Sequence, residues 1–162
     1  MNSEISGTQM IFIIDCMLGK LAKWLKILGF DALFFSKIED EELLALAKKE
    51  GRILLTKDTG LIQKAKEVQT LFLESEDWQD QVRQVIEHFH LRDKVTPHTR
   101  CIDCNEELKN LPKKNAKNLV SAFVFDKADS FALCPDCGRV FWRGTHFKDM
   151  EAKIQALLEN KP

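Results

Sequence analysis

The chain has 162 residues, 44% of them apolar and 30% charged, with a net charge of −1. That is the size of one large or two small globular domains, and it excludes a disordered chain and a strongly basic nucleic-acid coat. The longest early apolar run, residues 10–14, ends at Asp15; a signal peptide needs about 7 apolar residues and a membrane helix about 18. The expected setting is therefore the cytoplasm, with no membrane partner. There thiols stay reduced, so the five cysteines are not expected to form a disulfide framework.

Residues 10–14 (MIFII) read as a buried parallel strand, short, apolar and rich in β-branched side chains. Residues 18–28 read as a helix in which Leu18, Leu21, Ala22, Leu25 and Leu28 share one face. Gly29 follows as its stop. Residues 31–35 (DALFF) give a second strand. Asp40, Glu41 and Glu42 then open a helix where its dipole favours acids, and Gly51 closes it. Residues 52–56 (RILLT) give a third strand, residues 59–67 a helix and residues 68–73 a fourth strand. Ser75 is the expected cap of a last helix with Trp78, Val82, Val85, Ile86 and Phe89 on one face. Strands alternating with crossover helices imply an α/β unit with a parallel sheet. In such sheets reactive groups gather at the carboxyl ends of the strands.

Residues 93–100 are polar and contain Pro97, which sets the expected domain boundary between residues 1–92 and 98–162. Residues 1–92 carry 12 basic and 15 acidic residues, a net of −3; residues 93–162 carry 12 and 10, a net of +2. The second part holds two cysteine pairs, an irregular segment between them with Lys109, Lys113, Lys114 and Lys117, and a final helix striped by Met150, Ile154, Leu157 and Leu158.

Cys101-Ile102-Asp103-Cys104 and Cys134-Pro135-Asp136-Cys137 each present two thiolates from one tight turn. Two such turns supply four sulfurs to a tetrahedral zinc at about 2.3 Å. Gly138 follows the second, where a left-handed backbone is expected. The 29 intervening residues fit a zinc ribbon with a long hairpin. Four thiolates fill the coordination sphere, so this zinc is expected to be structural; a pair of redox dithiols is the alternative. Cys16 is left over as a small packing residue.

Asp15 directly follows the first strand, Asp58 follows the third by two residues, and Asp40 starts a helix. Mg²⁺ and Mn²⁺ take oxygen ligands, and phosphodiester cleavage uses such ions on the attacking and leaving oxygens. Asp40 also fits a helix cap, and Asp58 a turn residue. Asp15 ends a buried strand and needs a partner for its charge.

Several blocks together resemble the mut-seven C-terminal RNase family over residues 10–150. They are the run from Ile14-Asp15-Cys16-Met17-Leu18-Gly19-Lys20-Leu21 to Leu28-Gly29-Phe30-Asp31, the segments Asp40-Glu41-Glu42-Leu43-Leu44 and Gly51-Arg52-Ile53-Leu54-Leu55-Thr56-Lys57-Asp58, and the two cysteine turns with Gly138-Arg139-Val140-Phe141-Trp142. The resemblance implies a PIN-like nuclease domain joined to a zinc ribbon. It implies a ribonuclease with Asp15, Asp40 and Asp58 as ligands of Mg²⁺ or Mn²⁺, leaving 5′-phosphate and 3′-hydroxyl ends. PIN domains generally use a fourth acid, for which Glu74, Glu76 and Asp77 are the candidates. Lys20, Lys23 and Lys26 lie opposite the leucine stripe of the first helix, and Arg139 and Arg143 flank Trp142; these cations suit RNA phosphates. Trp24 lies outside the leucine stripe and is a lesser candidate for base stacking. The expected partners are RNA and, with it, the ribosome or RNA-processing factors. A non-catalytic PIN-like RNA-binding module and a protein-binding zinc ribbon are the alternatives.

Overall fold

The computed structural model describes residues 9–159. The outer ends of the two expected domains, residues 1–8 and 160–162, lie outside the described residues. Strands β1 (Ile11–Ile14), β2 (Asp31–Phe34), β3 (Ile53–Thr56) and β4 (Thr70–Phe72) form a parallel sheet in the order β2-β1-β3-β4. Helices α1 (Gly19–Ile27), α2 (Asp40–Glu50), α3 (Thr59–Lys64) and α4 (Trp78–His88) alternate with them. Successive side chains of a strand point to opposite faces. Phe12 and Ile14 pack with Leu21, Leu25, Val82 and Ile86 of α1 and α4, whereas Ile13 packs with Leu43, Ala47 and Leu61 of α2 and α3. Both faces are covered, which is why β1 and β3 read as unbroken apolar runs.

The chain leaves β1 for β2 on one side and returns for β3 on the other. The switch in strand order therefore lies between β1 and β3, the place where such sheets hold ligands. Gly51 stops α2 with a left-handed φ of 69°. Three boundaries differ from the sequence expectation: the helix expected over residues 59–67 ends at Lys64, the strand expected over 68–73 is Thr70–Phe72, and the cap of α4 moves. Asp77, not Ser75, caps α4, accepting the Gln79 amide at 2.7 Å. The helix starts at Trp78, so the capping position falls on its immediate neighbour; Ser75 instead accepts the Asp77 amide at 2.9 Å.

The second sheet is antiparallel, with β5 (Lys109–Leu111), β6 (Phe131–Leu133) and β7 (Val140–Trp142) in chain order. The segment expected to be irregular holds β5 and two short helices, α5 (Lys113–Ala116) and α6 (Ala122–Lys127). Leu111, Ala116, Ala128 and Phe131 give them a small core of their own.

The last helix, α7 (Phe147–Leu158), turns back onto the parallel layer. Ile154 and Leu157 belong to the core built by α1 and α4, and Arg83 of α4 donates to the Ala156 carbonyl at 3.3 Å. The polar linker is tied down as well. The amides of Thr96 and His98 donate to the carbonyls of Leu28 and Ile27, each at 2.9 Å. Gly29 allows this approach: it sits at φ 97°, and a Cβ there would come within 2.3 Å of the Thr96 carbonyl. Trp24 is buried and stacked on Trp78 at 4.8 Å, so its ring is closed to any base. Among the described residues no helix is long and apolar enough to cross a membrane.

Candidate functional site

The two cysteine turns are built alike. The amides of Cys101 and Cys134 donate to the carbonyls of Glu106 and Arg139, and those of Asn105 and Gly138 to the carbonyls of Cys101 and Cys134, all at 2.9 Å. The Cys104 and Cys137 amides point at the Cys101 and Cys134 sulfurs, at 3.4 and 3.5 Å. Each turn closes through a left-handed residue, Asn105 at φ 67° and Gly138 at φ 79°. The four Sγ atoms lie within 4.8 Å of one another. The Cys101 and Cys137 sulfurs are 3.8 Å apart, the edge of a tetrahedron with metal–sulfur bonds of about 2.3 Å. The four cysteines are thus placed to hold a metal ion, and four soft donors in this geometry fit zinc.

Without a metal two of these thiols resist ionisation. Burial pushes the Cys101 thiol up, and hydrogen bonding with Cys137 pushes Cys104 up. Burial also works to raise Cys134, but hydrogen bonds from the amides of Cys137 and Asp136 and with the thiols of Cys137 and Cys101 together hold that thiol below its ordinary value. Asn105 has a second task that the sequence reading missed. Its side chain donates to Asp31 at 2.6 Å and accepts the Ala32 amide at 2.9 Å, on edge strand β2. Arg52 holds the same Asp31 oxygen at 2.8 Å. The first cysteine turn is therefore hydrogen-bonded to the parallel sheet.

At the other end of that sheet, Asp15 is 7% exposed. Its amide donates to Leu55 across the β1–β3 pair at 3.0 Å. Its Oδ2 accepts the Thr56 hydroxyl at 2.8 Å, and the Thr56 oxygen accepts the Asp58 amide at 2.9 Å. Thr56 is fully buried and bridges the two aspartates. Its signal in the sequence is a lone hydroxyl closing an otherwise apolar strand. Asp58 Oδ1 caps α3 through the amides of Gly60 and Leu61, at 2.8 and 3.2 Å. Asp40 is the first residue of α2, not its cap, since Glu39 holds the cap position. Its carboxylate pairs with Lys64 at 3.2 Å.

The Lys64 ammonium is raised above its usual range chiefly by its hydrogen bond to Asp40, with Glu41 and Asp58 adding to it. Cys16 stands between the acids and is exposed, not a packing residue. Burial first, then the charge and hydrogen bond of Asp15, push its thiol up, with a smaller push from Asp40. Among the described residues, the three carboxylates do not reach the mutual 4.8 Å spacing of the four sulfurs. Of the candidates for a fourth acid, Asp77 is committed to the α4 cap. Glu76 pairs with Lys57, the neighbour of Asp58, at 3.2 Å, and Glu74 is exposed.

The cations divide. Lys20 and Lys23 are exposed, and the Lys20 ammonium lies 5.1 Å from the Trp78 ring. Lys26, expected on the same solvent face, is 7% exposed, because the second half of the chain covers that end of α1. Burial holds its ammonium below the usual lysine range, while Asp103 and the Cys101 and Cys104 thiols pull the other way. Arg139 is paired with Asp103 across the two cysteine turns and lies over Phe141. Arg143 lies 4.6 Å over Phe147, and no ion pair engages it among the described residues.

A comparison with curated proteins and one with solved structures return no match. A family model, the Mut7-C RNAse domain, matches residues 10–154. That span holds the carboxyl end of the parallel sheet, both cysteine turns and most of α7, and with nine-tenths of its length matched the chain belongs to the Mut7-C RNAse domain family.

Proposed function

We propose that this chain is a cytoplasmic, metal-dependent ribonuclease that hydrolyses RNA phosphodiester bonds beside Asp15, leaving 5′-phosphate and 3′-hydroxyl ends. The supporting observation is the Asp15–Thr56–Asp58 hydrogen-bonded chain at the strand switch point, in a chain of an RNase family. Asp15, Asp40 and Asp58 offer the hard oxygen donors that suit Mg²⁺ or Mn²⁺. When bound, such an ion activates water and stabilises the charge that develops on the phosphate. Thr56 holds Asp15 in one orientation, so the buried carboxylate needs no reorganisation. The α3 cap fixes Asp58 in the same way. Asp40 is reachable at the surface once Lys64 gives way. In this reading the ribbon zinc is structural and RNA is the substrate, and the ribosome or RNA-processing factors are the macromolecular context.

The test is cleavage of pooled cellular RNA by zinc-loaded protein with Mg²⁺, with Mn²⁺ and with chelator. Divalent-dependent cleavage that disappears in Asp15→Asn supports the reading. A second reading, a non-catalytic RNA-binding or assembly module, is favoured by the commitments of Asp58 to two backbone amides and of Asp40 to Lys64. Binding of RNA with no cleavage under either ion selects it.

A further inference from the structure

A cavity of 740 Å³ opens between α6, the end of β7 and the start of α7, and one of 490 Å³ between the ribbon, α7 and the end of α1. They share His98, Trp142, Arg143, Phe147 and Met150, so they are two lobes of one cleft. Each lies in the range of about 300–1,000 Å³ typical of ligand pockets. Among the described residues the cleft walls contain no aspartate or glutamate, although the chain has 25 acidic against 24 basic residues. They do contain Lys23, Arg100, Lys127 and Arg143.

Arg100 is committed to the carbonyls of Gly29 and Asn105 and to Glu107. Arg143 is not committed in this way. Its guanidinium carbon lies 4.6 Å from the centre of the Phe147 ring, and a guanidinium free of ion pairs keeps donors for a phosphate. Beside it, Trp142 is 41% exposed and Phe123 is 66% exposed. Lys127 lies over the Phe123 ring at 5.8 Å, and Glu151 meets the cleft only through His98, at 3.1 Å. Exposed aromatic rings beside cations complement a polyanion that carries flat apolar rings.

Helix α1 joins this cleft to the acidic site. It begins at Gly19, close after Asp15, and ends at Ile27 on the cleft wall, a span of about 12 Å at 1.5 Å per residue. Lys20 and Lys23 are exposed along it, so a strand lying at Asp15 reaches the cleft within a few nucleotides.

We propose that the cleft binds unpaired nucleotides of single-stranded RNA, with a base stacked on Trp142, its phosphate paired with Arg143, and Lys23 and Lys127 on the flanks. The proposal rests on the ribonuclease reading and adds to it a preference for single strands. A duplex keeps its base faces stacked inside and cannot offer them to an aromatic ring.

The test uses zinc-loaded full-length protein and a labelled oligouridylate, titrated by fluorescence anisotropy without added Mg²⁺ or Mn²⁺. Trp142→Ala and Arg143→Glu are each expected to weaken binding by about tenfold, with zinc content unchanged and a cooperative unfolding transition retained. The oligouridylate is expected to quench tryptophan fluorescence in wild type and not in Trp142→Phe. An RNA duplex of equal length is expected to bind more weakly. Equal binding by wild type and both variants, equal affinity for the duplex, or no affinity for RNA at all each overturns the proposal. Cleavage of the same RNA with Mg²⁺ separates this site from the reading beneath it. Wild type that cleaves while its binding ignores both variants defeats the cleft alone; wild type that binds through the cleft and never cleaves defeats the ribonuclease reading alone.

Discussion

The cysteine turns and the acidic mouth are both groups of potential metal donors, and they are prepared in opposite ways. The sulfurs are held close together by backbone amides, with two left-handed residues closing the turns. The carboxylates are each engaged by a partner within the protein: Thr56 for Asp15, the α3 amides for Asp58, and Lys64 for Asp40. A soft, closed site is part of the folded framework. In the ribonuclease reading the hard, open site keeps Asp15 and Asp58 in place, and Asp40 exchanges its contact with Lys64 for an ion.

The largest effect is expected from breaking the closed site. Structural zinc contributes about 10–16 kcal/mol in small zinc modules. Cys101→Ser, or removal of zinc by chelation, should abolish the ribbon fold while β1–β4 persist, seen as partial loss of circular dichroism and of zinc by elemental analysis. Because Asn105 and α7 bind the ribbon to the parallel layer, the remaining transition should also move to lower temperature. Zinc binding should release protons, since the metal-free Cys101 and Cys104 thiols titrate above their ordinary value. The bound form holds thiolates, so zinc affinity should fall steadily as pH is lowered through neutrality, measured by competition with a chromophoric chelator.

The open site should respond in activity rather than fold. Asp15→Asn should reduce cleavage by at least about 100-fold at unchanged zinc content. Thr56→Val keeps the shape but leaves Asp15 and the Asp58 amide without the hydroxyl. It should cost about 1–3 kcal/mol of stability in denaturant unfolding and lower cleavage less than Asp15→Asn does, with Thr56→Ser recovering most of both.

The joint between the regions comes next. Asn105→Ala removes two hydrogen bonds to β2 and places alanine at φ 67°. It should cost about 2 kcal/mol in the same measurement. Asn105→Gly relieves the backbone term alone, so the gap between the two variants separates turn strain from docking. The smallest effect is expected at Lys64→Ala. That exposed pair with Asp40 adds little to stability, but its loss should tighten Mn²⁺ binding, read by calorimetry.

Much of the fold was legible because β1 and β3 are buried on both faces and helices α1 and α4 carry long apolar stripes. The cysteine spacing carried the ribbon. Helices α5 and α6, at four and six residues, are too short to show a helical period. Lys26 looked solvated because its position opposite the leucine stripe says nothing of a second body packed there. Thr56 read as an ordinary strand residue, and Asn105 carried no signal of its own. The roles of both come from contacts across the fold, which no local pattern records.

The most direct measurement is the rate of RNA cleavage by zinc-loaded wild type and Asp15→Asn, side by side, as Mg²⁺ or Mn²⁺ is titrated in. The account predicts a rate that rises from zero with the ion in wild type and stays at the background level in the variant. Equal rates in the two proteins, or no cleavage by wild type under either ion, would contradict it.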